Sequence, residues 1–130
     1  MKTIRTRDQK RAELVFENIR LLTENEPELG PKYGTLALNA PTFIRISGLI
    51  QVLAFYTSKK EQHHQLFMEH LTQELGDMQI IAKTCTDLLD FATTCDLVHY
   101  MHLTDEVLAL TQWHKRFAQS VLKAETGGDA

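Results

Sequence analysis

The stretch PTFIRISGLIQVLAFY, residues 41 to 56, is long enough to form a helix and is apolar along almost its whole length. Arg45 is its one charged residue, and no other side chain between Lys32 and Lys59 carries a formal charge. A helix that is apolar nearly all round is either central in its own bundle or shares a second face with another subunit. Arg45 must therefore pair with a carboxylate, emerge at the edge of the fold, or meet an anionic partner.

The rest of the 130-residue chain reads as helical, and no segment shows the period-two alternation of a half-buried strand. A chain of this length buries about 65% of its unfolded surface, so one core can form without a metal or a disulfide. The sequence therefore predicts an all-α fold, a single compact bundle of about five to seven helices over residues 1–125. The tail TGGDA, 126–130, is expected to be disordered.

Local signals predict where the helices begin and end. Thr6 and Gln9 have the spacing of a capping box for a first helix that ends near Asn25, and NEPELGPK (25–32) reads as a loop. The other expected elements are a short helix over 33–40, a helix that starts at Pro41, helices over 61–75 and 78–93, and a last helix capped by Thr104.

Charge is segregated along the chain. Residues 1–60 carry ten Lys or Arg against six Asp or Glu, residues 61–112 carry one against nine, and residues 113–130 carry three against two, which gives the formal net charge of -3. Such polarity suits a protein with one surface on nucleic acid. It is also compatible with an ordinary solvated surface.

The chain shows neither a charged-then-apolar leader nor an unbroken apolar run long enough for a bilayer. We therefore expect a cytoplasmic protein without membrane contact. Cys85 and Cys95 are accordingly interpreted as reduced thiols.

Six histidines raise the question of a metal site. Cys95, His99 and His102 would share one helical face, so a small metal-dependent helical enzyme is the alternative function. The signal is weak because no fourth ligand, HExxH or CxxC accompanies it, and neither a metal nor another cofactor is expected. Three further histidines lie among polar residues of the predicted 61–75 helix and are expected to be solvated: His63, His64 and His70.

The last helix has two distinct faces. Val107, Leu110, His114, Phe117 and Val121 share the expected core face, on which His114 is interpreted as a hydrogen-bonded core residue rather than a general base. Trp113 and Arg116 lie on a strip away from that face. A tryptophan beside an arginine is typical of a protein interface, and the alternative is that another helix of the same chain covers Trp113.

Four blocks of the sequence, in this order, resemble the signature blocks of the small helical subunit of the type III-B (Cmr) CRISPR effector complex. They bracket most of the chain, whereas residues 59–103 match only as a generic helical region. His114 stands where the resemblance predicts an apolar residue. The blocks are RDQKRA (7–12), YGTLA (33–37), PTFIRISGLIQVLAF (41–55) and TDEVLALTQWHKRFA (104–118).

The resemblance implies a non-catalytic, prokaryotic protein of antiviral defence. Copies of such a subunit stack along an RNA-guided complex beside the duplex of CRISPR RNA and target RNA. The implied partners are the backbone subunit, the large subunit, further copies of the same subunit, and both RNAs. As a group, the basic residues of the matching blocks take an RNA-facing role: Arg7, Lys10, Arg11, Arg45, Lys115 and Arg116.

Overall fold

A computed structural model describes residues 4–125 of the protein as helices joined by short connections. The expected disordered tail at 126–130 lies outside the described residues. No helix within 4–125 is long and apolar enough to cross a bilayer. Over the same range there is no strand and there are six α-helices, which confirms the predicted class and number: α1 (Arg7–Asn25), α2 (Gly30–Ser47), α3 (Leu49–Ser58), α4 (Gln62–Asp77), α5 (Leu88–Thr94) and α6 (Leu97–Ser120).

The longest helix, α6, organises the bundle. Its 24 residues extend over about 36 Å, and it packs mainly against α2 and α1. Val107, Leu110 and His114 of its predicted core face are fully buried, and Phe117 and Val121 are half-buried against the core. The large buried side chains around them include Ile19, Tyr33, Leu53, Phe67, Leu71 and Leu75.

The first helix begins and ends where its sequence predicts. Thr6 Oγ1 accepts the Gln9 backbone N–H at 3.0 Å, and Gln9 Oε1 accepts the Thr6 backbone N–H at 2.8 Å. This reciprocal pair satisfies two N–H groups that a helix start otherwise leaves unbonded. The helix ends at Asn25, and a single 3-10 turn over Pro27–Leu29 leads into α2.

The second helix corrects three predictions. It begins at Gly30, so the predicted loop 25–32 is too long, and it passes through Pro41 without a break, so neither the short helix 33–40 nor a start at Pro41 is correct. A proline inside a helix removes one hydrogen bond and costs about 3 kcal/mol. Here α2 buries nine of its residues, Pro41 among them, and that apolar burial outweighs the lost bond.

The apolar stretch 41–56 is not one helix, because Gly48 separates α2 from α3. Gly48 has φ 88° and ψ 154°, a conformation that is essentially restricted to glycine. The chain therefore changes direction between Ser47 and Leu49. Arg45 consequently lies in the last turn of α2 rather than in the middle of a longer helix.

Two aspartates in the second half of the chain cap helices that begin at other positions than predicted. Asp87 accepts the Asp90 N–H at 3.0 Å and begins α5, so the helix predicted over 78–93 is reduced to Leu88–Thr94. Asp96 accepts the His99 N–H at 2.9 Å, so α6 begins at Leu97 and not after Thr104. A carboxylate that caps the following turn stops a helix from continuing through it.

Candidate nucleic-acid interface

Two of the six basic residues meet at a buried carboxylate. Glu106 of α6 is 4% exposed, and it accepts hydrogen bonds from Arg7 Nη2 at 2.9 Å, from Arg11 Nη2 at 3.1 Å, and from Arg11 Nε. Arg7 and Arg11 are one turn apart on α1, so both reach the same point of α6. The three side chains fasten the start of α1 to the middle of α6.

The charges of this cluster support one another. Burial of the Glu106 carboxyl opposes its ionisation, but the hydrogen bonds and charges of Arg11 and Arg7 outweigh that effect and lower its pKa. The hydrogen bond to Glu106 in turn raises the pKa of Arg11. The Arg7 side chain nevertheless remains 59% exposed, against 20% for Arg11. Arg7 can therefore still present N–H groups to an outside anion, whereas Arg11 is largely committed to Glu106.

The remaining basic residues of α1 and α6 are not part of the Glu106 cluster. Lys10 is exposed on α1 and lines a small surface groove with Arg7. Lys115 is half-buried and Arg116 exposed on α6, about 14 Å along the helix from Glu106 at 1.5 Å per residue. The basic residues of α1 and α6 are therefore spread along these helices rather than gathered at Glu106.

Arg45 lies at the surface. It is exposed in the last turn of α2, and none of the carboxylates in residues 4–125 lies within salt-bridge distance of it. Of the three possibilities that the sequence leaves open, an internal ion pair does not occur in this part of the chain. The guanidinium is available to a partner outside the chain.

Exposed apolar side chains also occur next to Arg45 in the chain, as a face shared with another subunit would require, and others at the start of α6 are not predicted from the sequence. Tyr100 Oη lies 3.4 Å from the Ile50 backbone N, which holds the start of α6 next to the start of α3. We call the exposed apolar side chains at the end of α2 and at the starts of α3 and α6 the α3/α6 patch: Ile46, Ile50, Leu97, Val98 and Met101. Ile46 is 78% exposed and Leu97 72% exposed. The available signal in the sequence is the group of apolar residues at 97, 98 and 101, whose side chains do not pack in the core.

Trp113 is partly covered by its own chain. Its Nε1 donates to Asp8 Oδ1 of α1 at 2.9 Å, and its ring stacks on Phe117 with centroids 5.5 Å apart. The side chain is half-buried, so the intrachain alternative accounts for one face of the indole. Contact of the other face with a partner subunit remains a prediction.

The core histidine is confirmed, and its partner is a carboxylate. His114 and Glu74 are both fully buried, and His114 Nε2 donates to the Glu74 carboxylate at 2.9 Å. Asn18 also donates to Glu74 at 2.8 Å, and Tyr33 Oη lies 3.4 Å from His114 Nδ1. A polar network therefore occupies the centre of the bundle with its groups paired, as burial requires.

The prediction that the three histidines of α4 are solvated is wrong. His70 lies 2.7 Å from Tyr33 Oη, and its burial, together with the charge of His114, lowers its pKa to about 4. His63 is buried and His64 half-buried. The polar neighbours in the sequence were misleading because α3 and α2 cover this side of α4, which no local pattern could show.

The structure does not bring together the residues of the alternative metal site. Cys95 caps the end of α5, whereas His99 and His102 belong to α6, so the three residues do not share one helical face. His99 is instead occupied by Asp96, which its Nδ1 approaches to 2.7 Å. Within residues 4–125 the group of side chains that could hold a metal ion is a different one, Glu61, His63 and His64.

Comparisons with known proteins give one consistent result. Residues 7–121 match the family described as CRISPR-associated protein (Cas_Cmr5). The chain is 34% identical over 120 residues to the CRISPR system Cmr subunit Cmr5 of Thermus thermophilus, covering 92% of this chain and 99% of that protein. The fold is similar to the crystal structure of a CRISPR-associated Cmr5 family protein from the same organism, with a TM-score of 0.76, 35% identity, and coverage of 91% and 98%.

Proposed function

Because this chain belongs to the Cmr5 family, the small subunits of type III-B Cmr complexes, we propose that it is a non-catalytic, RNA-facing scaffold of such a complex. It would stack beside the duplex of CRISPR RNA and target RNA and contact the backbone subunit, the large subunit and further copies of itself. The cytoplasm is the compartment in which it would act, and its two free cysteines, Cys85 and Cys95, are compatible with that reducing environment.

The observation that carries the RNA-facing role is the position of Arg45. An arginine inside a long uncharged segment is directed outwards, without a carboxylate of residues 4–125 to neutralise it. Guanidinium groups bind phosphate through paired N–H donors, and such contacts position a protein on a nucleic-acid backbone without reading its sequence. Arg7, Lys10 and Arg116 add exposed positive charge to the surface of α1 and α6.

The α3/α6 patch supports the scaffold role. Several exposed apolar side chains on elements that meet are more typical of a surface that another subunit covers than of a solvated one. Arg45 precedes Ile46 in the chain, so one edge of this patch carries a cation. We propose that the patch contacts a neighbouring subunit while Arg45 reaches the RNA at its rim.

The buried His114–Glu74 pair supports a non-catalytic role. A histidine beside a carboxylate is the arrangement that many enzymes use for general acid–base chemistry. Here both side chains have no exposed surface, so a substrate could not reach them without opening the bundle. Their arrangement serves the core instead.

Reconstitution with variants of the patch tests the scaffold role. Ile46→Glu places a charge on an exposed side chain, so the free subunit should fold normally while its incorporation into the complex falls. Ile4→Glu, at a position that is 97% exposed and outside the patch, is the matched control and should incorporate normally. Equal incorporation of the two variants would refute a role for the patch in assembly.

Direct RNA binding tests the other half of the proposal. The isolated subunit should bind single-stranded or duplex RNA with a Kd weaker than about 1 μM at physiological salt, as non-specific binders do. Its net charge is negative, and its basic groups are spread over three helices. Fluorescence anisotropy should show tight binding only in the assembled complex, where copies act together. Sub-micromolar binding by the lone subunit would contradict the proposal that tight RNA binding requires the assembled complex.

A further inference from the structure

The start of α4 brings together one carboxylate and two imidazoles. One possible ligand atom from each of Glu61, His63 and His64 lies within 4.8 Å of the other two, and His64 Nδ1 is 3.8 Å from Glu61 Oε1. We infer that these three residues form a binding site for a divalent transition-metal ion, with Zn²⁺ as the expected occupant. The site is separate from the basic residues and from the α3/α6 patch.

His64 provides an independent reason to expect a ligand. Its side chain is 13% exposed, and its Nδ1 is a buried polar atom without a hydrogen-bond partner among residues 4–125. Buried polar atoms are normally paired, and an unpaired one in a native fold points to a missing water or ion. The Glu61 carboxylate, at 3.8 Å, is too far away for a hydrogen bond but close enough to share a metal ion.

The geometry requires only a small adjustment. Zinc bonds to nitrogen and oxygen of about 2.0 to 2.1 Å place neighbouring tetrahedral ligands about 3.4 Å apart. Glu61 is exposed, and its side chain makes no capping bond at the start of α4 although the residue holds the N-cap position. Its carboxylate can therefore rotate towards the two rings without losing an existing interaction.

The two imidazole rings lie side by side at the start of α4. The centroids of the His63 and His64 rings are 4.2 Å apart, and the Tyr56 ring of α3 packs beside His64. A neutral imidazole has the free lone pair that a metal needs.

The surroundings favour zinc over calcium or magnesium. Ca²⁺ and Mg²⁺ prefer sites made of several oxygen ligands, whereas imidazole nitrogen suits Zn²⁺ and related ions. Three protein ligands leave one tetrahedral position for water.

An ion at this position would brace the connection between α3 and α4. Glu61 precedes α4 and follows the end of α3 at Ser58, while His63 and His64 belong to the first turn of α4. A metal that links them fixes the direction in which α4 leaves the connection. Binding to the folded state alone should therefore raise the unfolding temperature.

Zinc titration of the untagged, chelator-treated protein tests the site. Isothermal titration calorimetry should show about one Zn²⁺ per chain, and the melting temperature should rise with added zinc. His64→Ala and Glu61→Gln should each weaken binding by about tenfold or more, because each removes a ligand. His102→Ala, an exposed histidine on α6, should bind zinc like the wild type.

The outcomes separate the site from adventitious binding. Glu61→Gln changes an exposed side chain and leaves the fold intact, so it decides the question even if His64→Ala unfolds the protein. A wild-type protein that binds no zinc stoichiometrically would overturn the inference. Binding that is equally strong in Glu61→Gln, or is lost equally in His102→Ala, would do the same.

Discussion

His114 Nε2 lies 2.9 Å from both carboxylate oxygens of Glu74, and neither side chain has any exposed surface. The two residues are 40 positions apart, one on α6 and the other on α4. Their contact therefore fixes the distance and the rotation between these helices. It also explains a histidine at a position where the family resemblance predicts an apolar side chain.

Removing one partner of this pair should destabilise the protein strongly. His114→Leu leaves the Glu74 carboxylate buried with only Asn18 as a donor, which should lower the free energy of unfolding by about 3 to 5 kcal/mol. Adding Glu74→Gln to that variant removes the buried charge and should recover part of the loss. Urea unfolding of both variants checks this, and a double variant that is less stable than His114→Leu would contradict it.

The Arg11–Glu106 pair should contribute less, since it is only partly buried. Arg11→Met removes two of the hydrogen bonds to Glu106, and we expect a loss of about 1 to 3 kcal/mol. Arg20→Met is the control, because Arg20 pairs with Glu17 and Glu24 on the surface of α1 and its loss should cost clearly less stability than Arg11→Met. Equal losses in the two variants would show that Glu106 is not specially dependent on Arg11.

The same pair predicts a dependence on pH. The pKa of Glu106 is lower in the folded protein than its ordinary value of 4.5, so its ion pairs contribute fully above that value. The contribution should disappear as the pH falls from 4.5 through the folded pKa. Wild type should therefore lose more stability than Arg11→Met over this range, measured as urea midpoints at successive pH values.

The long-range pairs mark the limit of what the sequence could reveal. The capping box of α1 depends on residues three apart, and it was correctly predicted. Glu106 meets Arg11 across 95 positions, and no local pattern selects it from the other carboxylates. The basic residues could be named from the sequence, but which ones were already neutralised depended on how α1 packs on α6.

Some of the predicted helix boundaries are wrong for a related reason. The sequence predicts a helix start at Pro41 because proline is common there, yet the burial of α2 keeps the helix continuous through it. Gly48 ends the helix through its positive φ, which the sequence pattern does not reveal. Whether a glycine or a proline interrupts a helix depends on the packing around it, which only the folded chain supplies.

Gly48 and Gly76 give a matched test of that backbone explanation. Gly48→Ala forces a side chain into a region essentially reserved for glycine and should cost about 1 to 3 kcal/mol. Gly76 lies inside α4, where an added Cβ would make ordinary contact with Lys83 at 3.5 Å. Gly76→Ala should therefore be neutral or stabilise by up to about 1 kcal/mol. Thermal unfolding measures both, and a Gly48→Ala variant as stable as Gly76→Ala would contradict the explanation.

Trp113 tests whether the α1 and α6 pair also meets a partner. Trp113→Phe keeps an aromatic ring on Phe117 but loses the hydrogen bond to Asp8, so the free subunit should lose no more than about 1.5 kcal/mol. If the outer face of the indole contacts another subunit, incorporation into the complex should fall clearly. Normal incorporation at nearly normal stability would show that Trp113 serves only its own chain.

The most direct measurement is the salt dependence of target-RNA binding by a complex reconstituted with Arg45→Gln. Arg45 is exposed at the end of α2, so the variant should change the stability of the free subunit by less than about 1 kcal/mol. The control is Lys123→Gln, an exposed residue beyond the family match at 7–121. We expect the plot of log affinity against log salt to become shallower by about 0.7 to 0.9 for each copy that contacts the RNA. An unchanged slope with Arg45→Gln would contradict the RNA-facing role.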